Sequence, residues 1–191
     1  MRTARDVGQS FEQRHRFAHV LAVTRMADTL AQAHGVDPAR ARLAALLHDL
    51  ARLYSAQRLL RECESRGMPI DAFERRNPIV LHARLGAELA RERFGVDDEA
   101  VLSAIRKHTV ADAVMSPLDQ VVYLADALEP QRDYAQRASI AAFAYRDLRG
   151  AMAAVLASTI DYLRGRDLEI APQTFAAARA FGVHREEKRP A

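Results

Sequence analysis

Apolar positions repeat at helical spacing along almost the whole chain, and the residues between the repeats are those that start and stop helices. Across residues 8–33, Phe17, Val20, Val23, Ala27 and Leu30 recur at steps of three and four until His34-Gly35 ends the stretch. Asp37-Pro38 places a cap before a first-turn proline and predicts a helix reaching about Tyr54. Ser55 caps a third helix to about Arg66, where Gly67-Met68-Pro69 breaks the chain. Asn77-Pro78 opens a helix running to Phe94, before Gly95, and Asp97 caps one that ends near His108. Ser116-Pro117-Leu118-Asp119 combines a capping box with a first-turn proline and starts a helix through Leu128, which Pro130 stops. A long helix over about 147–164 ends at Gly165, and a short one follows Pro172. Only VVYLAD, residues 121–126, also suits a buried strand, and the cap ahead of it favours helix. The pattern predicts an all-α fold: one domain over 1–191, a core of about 14–175 and a frayed tail over about 184–191.

Six polar residues break the apolar faces. His19 shares its helical face with Val23, Met26 and Leu30. His48 and Asp49 interrupt AALLHDLA, His82 follows the run IVL, His108 lies one turn beyond Ala104 and Ile105, and Asp126 interrupts VVYLADAL. Taken singly, such a histidine is usually a satisfied core residue, and an aspartate near a helix end can bond a neighbouring cap. An ionisable group on an apolar face is nevertheless costly unless it is paired, hydrogen-bonded or bound to metal. Several helices each carrying one such interruption is how bundles build inward-facing metal sites.

Imidazole and carboxylate without thiolate suit Fe, Mn or Zn. Four histidines and two aspartates exceed what a single ion with one open position needs. They suit two ions about 3.5–4 Å apart that share a carboxylate and clamp a phosphoryl group. His15, His34 and His184 fall in charged or loop-like contexts and are read as ordinary surface residues.

Composition removes several other classes. With 191 residues, 49% hydrophobic and 28% charged, the chain can bury a core and is not of a disordered type. The charged N-terminus has no apolar signal segment, and the longest apolar run, AMAAVLASTI, is too short to span a membrane. The lone cysteine, Cys63, excludes an internal disulfide framework and fits the cytoplasm. Of 28 basic residues only Lys107 and Lys188 are lysines, yet the net charge is just +3 and no basic block is longer than two, so an extended nucleic-acid surface is poorly supported.

In the order H…HD…H…H…D the sequence resembles the HD-domain metal-dependent phosphohydrolases, and within them the YqeK family of symmetrical diadenosine tetraphosphate hydrolases. The likeness covers roughly residues 14–175. It is carried by RHRFAHVLAV (14–23), AALLHDLAR (44–52), NPIVLHARLGAE (77–88), AIRKHT (104–109) and MSPLDQVVYLADALEPQR (115–132). The HD pair alone is a weak signal; the NPIVLHARLGAE and ADALEPQR blocks are far more specific.

The resemblance implies an HD-domain helical bundle with a di-iron centre between its helices, manganese or another divalent metal being the alternative. His19, His48, Asp49 and Asp126 would hold one iron, and Asp49 would bridge to a second held by His82 and His108. Family members cut diadenosine tetraphosphate into two ADP through metal-activated water. Asp49, Arg52 and Asp126 are the expected catalytic residues, and Arg16, Arg52, Thr109 and Arg132 the expected contacts to a nucleotide substrate. Glu129, one turn past Asp126, could partner a ligand or an arginine, or be an ordinary helix-end carboxylate.

Two positions depart from the family pattern. Arg52 stands where lysine is usual, and Val110-Ala111 where a small polar residue and glycine follow the HT pair. Competing expectations are hydrolysis of another nucleotide or phosphate ester, di-iron oxygenation, and a non-catalytic helical interaction module. A homodimer is left open.

Overall fold

The computed structural model describes residues 4–184, and side chains from residue 15 onward. The expected frayed tail, residues 184–191, lies outside the described part apart from His184. Among the described residues ten α-helices follow one another: α1 (Ala4–Ala33), α2 (Pro38–Leu47), α3 (Ala56–Ser65), α4 (Ala72–Arg76), α5 (Leu81–Phe94), α6 (Glu99–Lys107), α7 (Pro117–Leu128), α8 (Arg137–Ala144), α9 (Leu148–Gly165) and α10 (Pro172–Ala180), with a 3₁₀ turn Pro78–Val80 leading into α5. No strand occurs among the described residues, and VVYLAD is helical.

The caps explain where the elements start. Asp37 accepts hydrogen bonds from the Ala39 and Arg40 amides, with Pro38 at the first helical position. Ser116 and Asp119 form a reciprocal capping box at the head of α7. The cap of α6 is Asp98, one residue after the expected Asp97; it binds the Ala100 amide. Two short helices escaped the sequence reading. α4 is only five residues long, too short for periodicity, and α8 lacks a side-chain cap.

α2 is shorter than its apolar period implies. It ends at Leu47 rather than near Tyr54, and residues 48–54 continue as successive i→i+3 turns, Leu50 to Leu47, Arg52 to Asp49 and Tyr54 to Ala51. The apolar period runs on because Leu50 and Ala51 still face the core, although the tighter winding differs from an α-helix.

α7 is the centre of the packing. It lies against α1, α2, α6, α8 and α9, and Val121, Val122, Leu124, Ala125 and Leu128 are fully buried. A smaller apolar cluster of Leu59, Cys63, Leu81, Leu85 and Leu89 joins α3 to α5 beside the HD turns. Gly86 permits the close approach here: a Cβ on it would lie 3.3 Å from the His48 carbonyl oxygen. Ala111, just past the HT pair, has φ +61° and so occupies the left-handed region that favours glycine, at a strain of order 1 kcal/mol.

Two substitutions test this account by urea unfolding. Leu124→Ala, in the fully buried middle of α7, is expected to cost about 2–5 kcal/mol. Ser116→Ala, which removes half of the capping box, is expected to cost about 1 kcal/mol.

Candidate metal centre

The six polar interruptions come together at one place. His19 arrives from the middle of α1, His82 from the first turn of α5 and Asp126 from the last turn of α7. His48 and Asp49 do not sit within a helix as expected but directly follow α2, while His108 directly follows α6, close to the expected helix end. All four imidazoles are buried, with His48 at 0% exposure. Their rings form a chain of edge-to-face contacts, His19 to His48 at 5.6 Å, His48 to His108 at 4.8 Å and His108 to His82 at 5.1 Å between centroids.

The helix ends determine which ring nitrogen carries the proton. The last carbonyls of a helix have no amide partner within it. His48 Nδ1 donates to the Ala45 carbonyl at 2.6 Å and His108 Nδ1 to the Ile105 carbonyl at 2.8 Å, each three residues back. His82 repeats the arrangement on Ile79 of the 3₁₀ turn at 2.5 Å. His19, in mid-helix, donates its Nδ1 proton to Glu129 Oε1 at 3.1 Å. In every case Nδ1 is spent outward and the lone pair of Nε2 faces the centre.

All four Nε2 atoms lie close to carboxylate oxygens. Asp49 divides its carboxylate between the two halves of the site. Oδ2 lies 3.5 Å from His48 Nε2 and 3.8 Å from His19 Nε2, while Oδ1 lies 3.3 Å from His82 Nε2 and 3.8 Å from His108 Nε2. Asp126 Oδ1 is 3.1 Å from His19 Nε2 and 3.9 Å from His48 Nε2. The buried Nε2 atoms of His19 and His48 make no hydrogen bond at all. Lone pairs pointing at carboxylate oxygens across 3–4 Å are unfavourable unless a cation stands among them. The donor set therefore fits metal, with His19, His48 and Asp126 grouped around one point and His48, Asp49 and His108 around another.

The electrostatics agree. Burial works to raise the Asp49 carboxyl, but the surrounding imidazoles of His82, His48 and His108 hold it well below the usual carboxylate range. Asp126 is likewise held low against burial, chiefly by His19 and His48. Burial lowers the His19 pKa, but Asp126 and Glu129 outweigh it and raise the value, so the pocket attracts positive charge. His108, pushed down to about 3 by burial and then by its histidine neighbours, stays neutral with Nε2 free to donate electrons.

The four expected substrate contacts border this centre. Arg16 Nη1 donates to Asp49 Oδ2 at 2.7 Å, and Arg132 Nη2 to Asp126 Oδ1 at 2.5 Å. Thr109 Oγ1 lies 3.2 Å from His82 Nε2 and 3.1 Å from His108 Nε2. Arg52 forms no ion pair among the described residues; burial and the like charge of Arg16 lower its pKa, and an anion beside it would relieve both. The carbonyls of Ala45, Ile79 and Ile105 were missed by sequence reasoning, since backbone acceptors leave no residue-type signal. The placement of a histidine three residues past each carbonyl, at a helix end or start, is the one pattern that could have found them. His34, read as an ordinary surface residue, is half-buried and bonds the Ala144 carbonyl at 2.6 Å, far from the centre in sequence and role.

A family model described as HD domain matches residues 16–131, more than half of the chain. The chain belongs to the HD-domain family. A symmetrical bis(5′-nucleosyl)-tetraphosphatase of Halalkalibacterium halodurans is 36% identical over 165 residues, 85% of this chain and 86% of the relative. A Bacillus subtilis protein of the same name is 32% identical over 161 residues, 84% and 86% of the two chains. The crystal structure of a predicted HD superfamily hydrolase involved in NAD metabolism from Clostridium acetobutylicum superposes with a TM-score of 0.84 at 31% identity, covering 87% of this chain and 88% of that one. Among the described residues no helix is long and apolar enough to cross a membrane.

Chelated protein titrated with Mn²⁺ should gain thermal stability, by about 2.7 kcal/mol at a hundredfold excess over the dissociation constant. His48→Ala should abolish most of that gain in a differential scanning calorimetry comparison. An unchanged response in the variant would contradict the assignment.

Proposed function

We propose that this HD-domain protein hydrolyses diadenosine tetraphosphate symmetrically to two ADP, with two metal ions, iron in the first place, held by His19, His48, Asp49, His82, His108 and Asp126. The observation that carries the two-metal reading is the division of the Asp49 carboxylate, Oδ2 toward His19 and His48 and Oδ1 toward His82 and His108. The substrate reading rests on the two relatives of that name, each of which the chain matches over more than four fifths of its length.

In this reading His19, His48 and Asp126 hold one ion, His82 and His108 the other, and Asp49 is shared. When bound, the ions supply Lewis acidity at the phosphoryl oxygens and lower the pKa of the attacking water. The chain's own residues position the substrate. Arg52 meets a phosphate as an unpaired guanidinium, and Arg16 and Arg132 hold planar forks beside the two site aspartates, suited to bidentate phosphate contacts. Thr109 Oγ1, against two imidazoles, can donate a hydrogen bond to an oxygen at the centre. A charged, doubly esterified polyphosphate gives these groups a reason to gather at one mouth. The reaction consumes one water per bond broken and leaves a terminal phosphate on each half.

A second reading, a different nucleotide, is favoured by the Clostridium acetobutylicum neighbour's association with NAD metabolism. A substrate panel separates the two. Incubated anaerobically with ferrous iron, the protein should convert diadenosine tetraphosphate to ADP alone, resolved by ion exchange. ATP with AMP would overturn the symmetrical cut, and turnover of NAD-type dinucleotides in preference would favour the second reading. His48→Ala and Asp49→Ala should lose at least a thousandfold in rate with helical circular dichroism retained, a loss of about 4 kcal/mol of transition-state stabilisation.

A further inference from the structure

Three of the four imidazoles take a carbonyl three residues back as their Nδ1 acceptor. His19 has no such option. It lies in the middle of a 30-residue helix whose carbonyls are taken by the amides of the next turn, so its acceptor must come from another element. That acceptor is the Glu129 carboxylate, 1% exposed, at the C-terminal cap of α7. Glu129 uses its two oxygens for two different purposes. Oε1 receives the His19 Nδ1 proton at 3.1 Å, and Oε2 receives the Gln131 amide at 2.7 Å. The Glu129 carbonyl also accepts the Arg132 amide at 3.0 Å, and Arg132 Nε approaches Oε1 to 4.0 Å.

We infer that Glu129 is a positioning residue that aligns His19 Nε2 for a cation and ties that alignment to the loop carrying Arg132. The inference rests on the reading of the centre as a metal site, but not on the identity of the substrate. A carboxylate is a stronger acceptor than a carbonyl, so it locks the tautomer and makes the ring a better electron donor than its three neighbours. It also makes the two halves of the centre unequal: the His19 half has a charged partner behind its histidine, and the His82 half has only backbone. Because one side chain serves both purposes, a change at Glu129 reaches the metal ligand and the arginine loop together, though it touches neither metal nor substrate.

The isosteric variant Glu129→Gln removes the charge and one of the two acceptor oxygens. Its side chain offers one acceptor oxygen where two donors converge, so the amide group must face either the His19 Nδ1 proton or the Gln131 amide. Calorimetric titration of the chelated full-length protein with Mn²⁺ should show two sites in the native chain. In Glu129→Gln one of them should weaken about 10–100-fold while the other is unchanged. In the hydrolysis assay the variant should also raise KM, through displacement of Arg132. Native affinity at both sites would overturn the inference, as would equal weakening of both.

Nitrogen-15 spectra of the histidines in the native chain give an answer independent of whether the variant folds. His19 should carry its proton on Nδ1, and Zn²⁺ should shift its Nε2 resonance alone. A proton on Nε2, or zinc on Nδ1, would overturn the inference. A native chain that binds no Mn²⁺ would overturn both this inference and the proposed function. Two bound Mn²⁺ without cleavage of the tetraphosphate would overturn only the proposed substrate.

Discussion

One carboxylate, Asp49, with its side chain only 5% exposed, faces four imidazoles at 3.3–3.8 Å. A charge so buried has to be neutralised, and nearly every other feature of the centre follows from that requirement. The imidazoles can present lone pairs to it only if their protons are held elsewhere, which is the task of Ala45, Ile79, Ile105 and Glu129. The helices end where they do because those acceptors are needed. α2 stops one residue short of His48 and α6 one residue short of His108, so each ring reaches back to a carbonyl the helix leaves free.

The packing then serves to hold these ends at a common point. α7 lies in the middle of the bundle and delivers Asp126 and Glu129 from its last turn, one to the centre and one to the back of His19. α5 comes close enough to the HD turns for Gly86 to sit against the His48 carbonyl, which is why the block around His82 is rich in small residues. Around the rim three guanidinium groups offset the carboxylates, and Arg52 alone among them has no anionic partner.

Much of this was legible in the sequence because caps and apolar periods are local signals. α7 begins and ends where its capping box and Pro130 place it, and α1, α3, α5 and α9 lie close to their expected spans. The six inward polar residues were legible for a related reason: each interrupts an apolar face, and burial makes such interruptions conspicuous. What was not legible depends on winding and distance. The tightening of residues 48–54 into i→i+3 turns leaves the apolar period nearly unchanged, so the HD pair read as mid-helix. α4 and α8 are too short or too weakly capped to announce themselves. The division of Asp49 between two groups of histidines, and of Glu129 between a ring and a loop amide, exists only after helices distant in sequence have packed together.

Anomalous diffraction from crystals of the protein loaded with manganese tests the central claim most directly. Two peaks should flank the Asp49 carboxylate, one against Oδ2 with His19, His48 and Asp126, the other against Oδ1 with His82 and His108. A single peak at full occupancy, or metal on a ring's Nδ1 atom, would contradict the account.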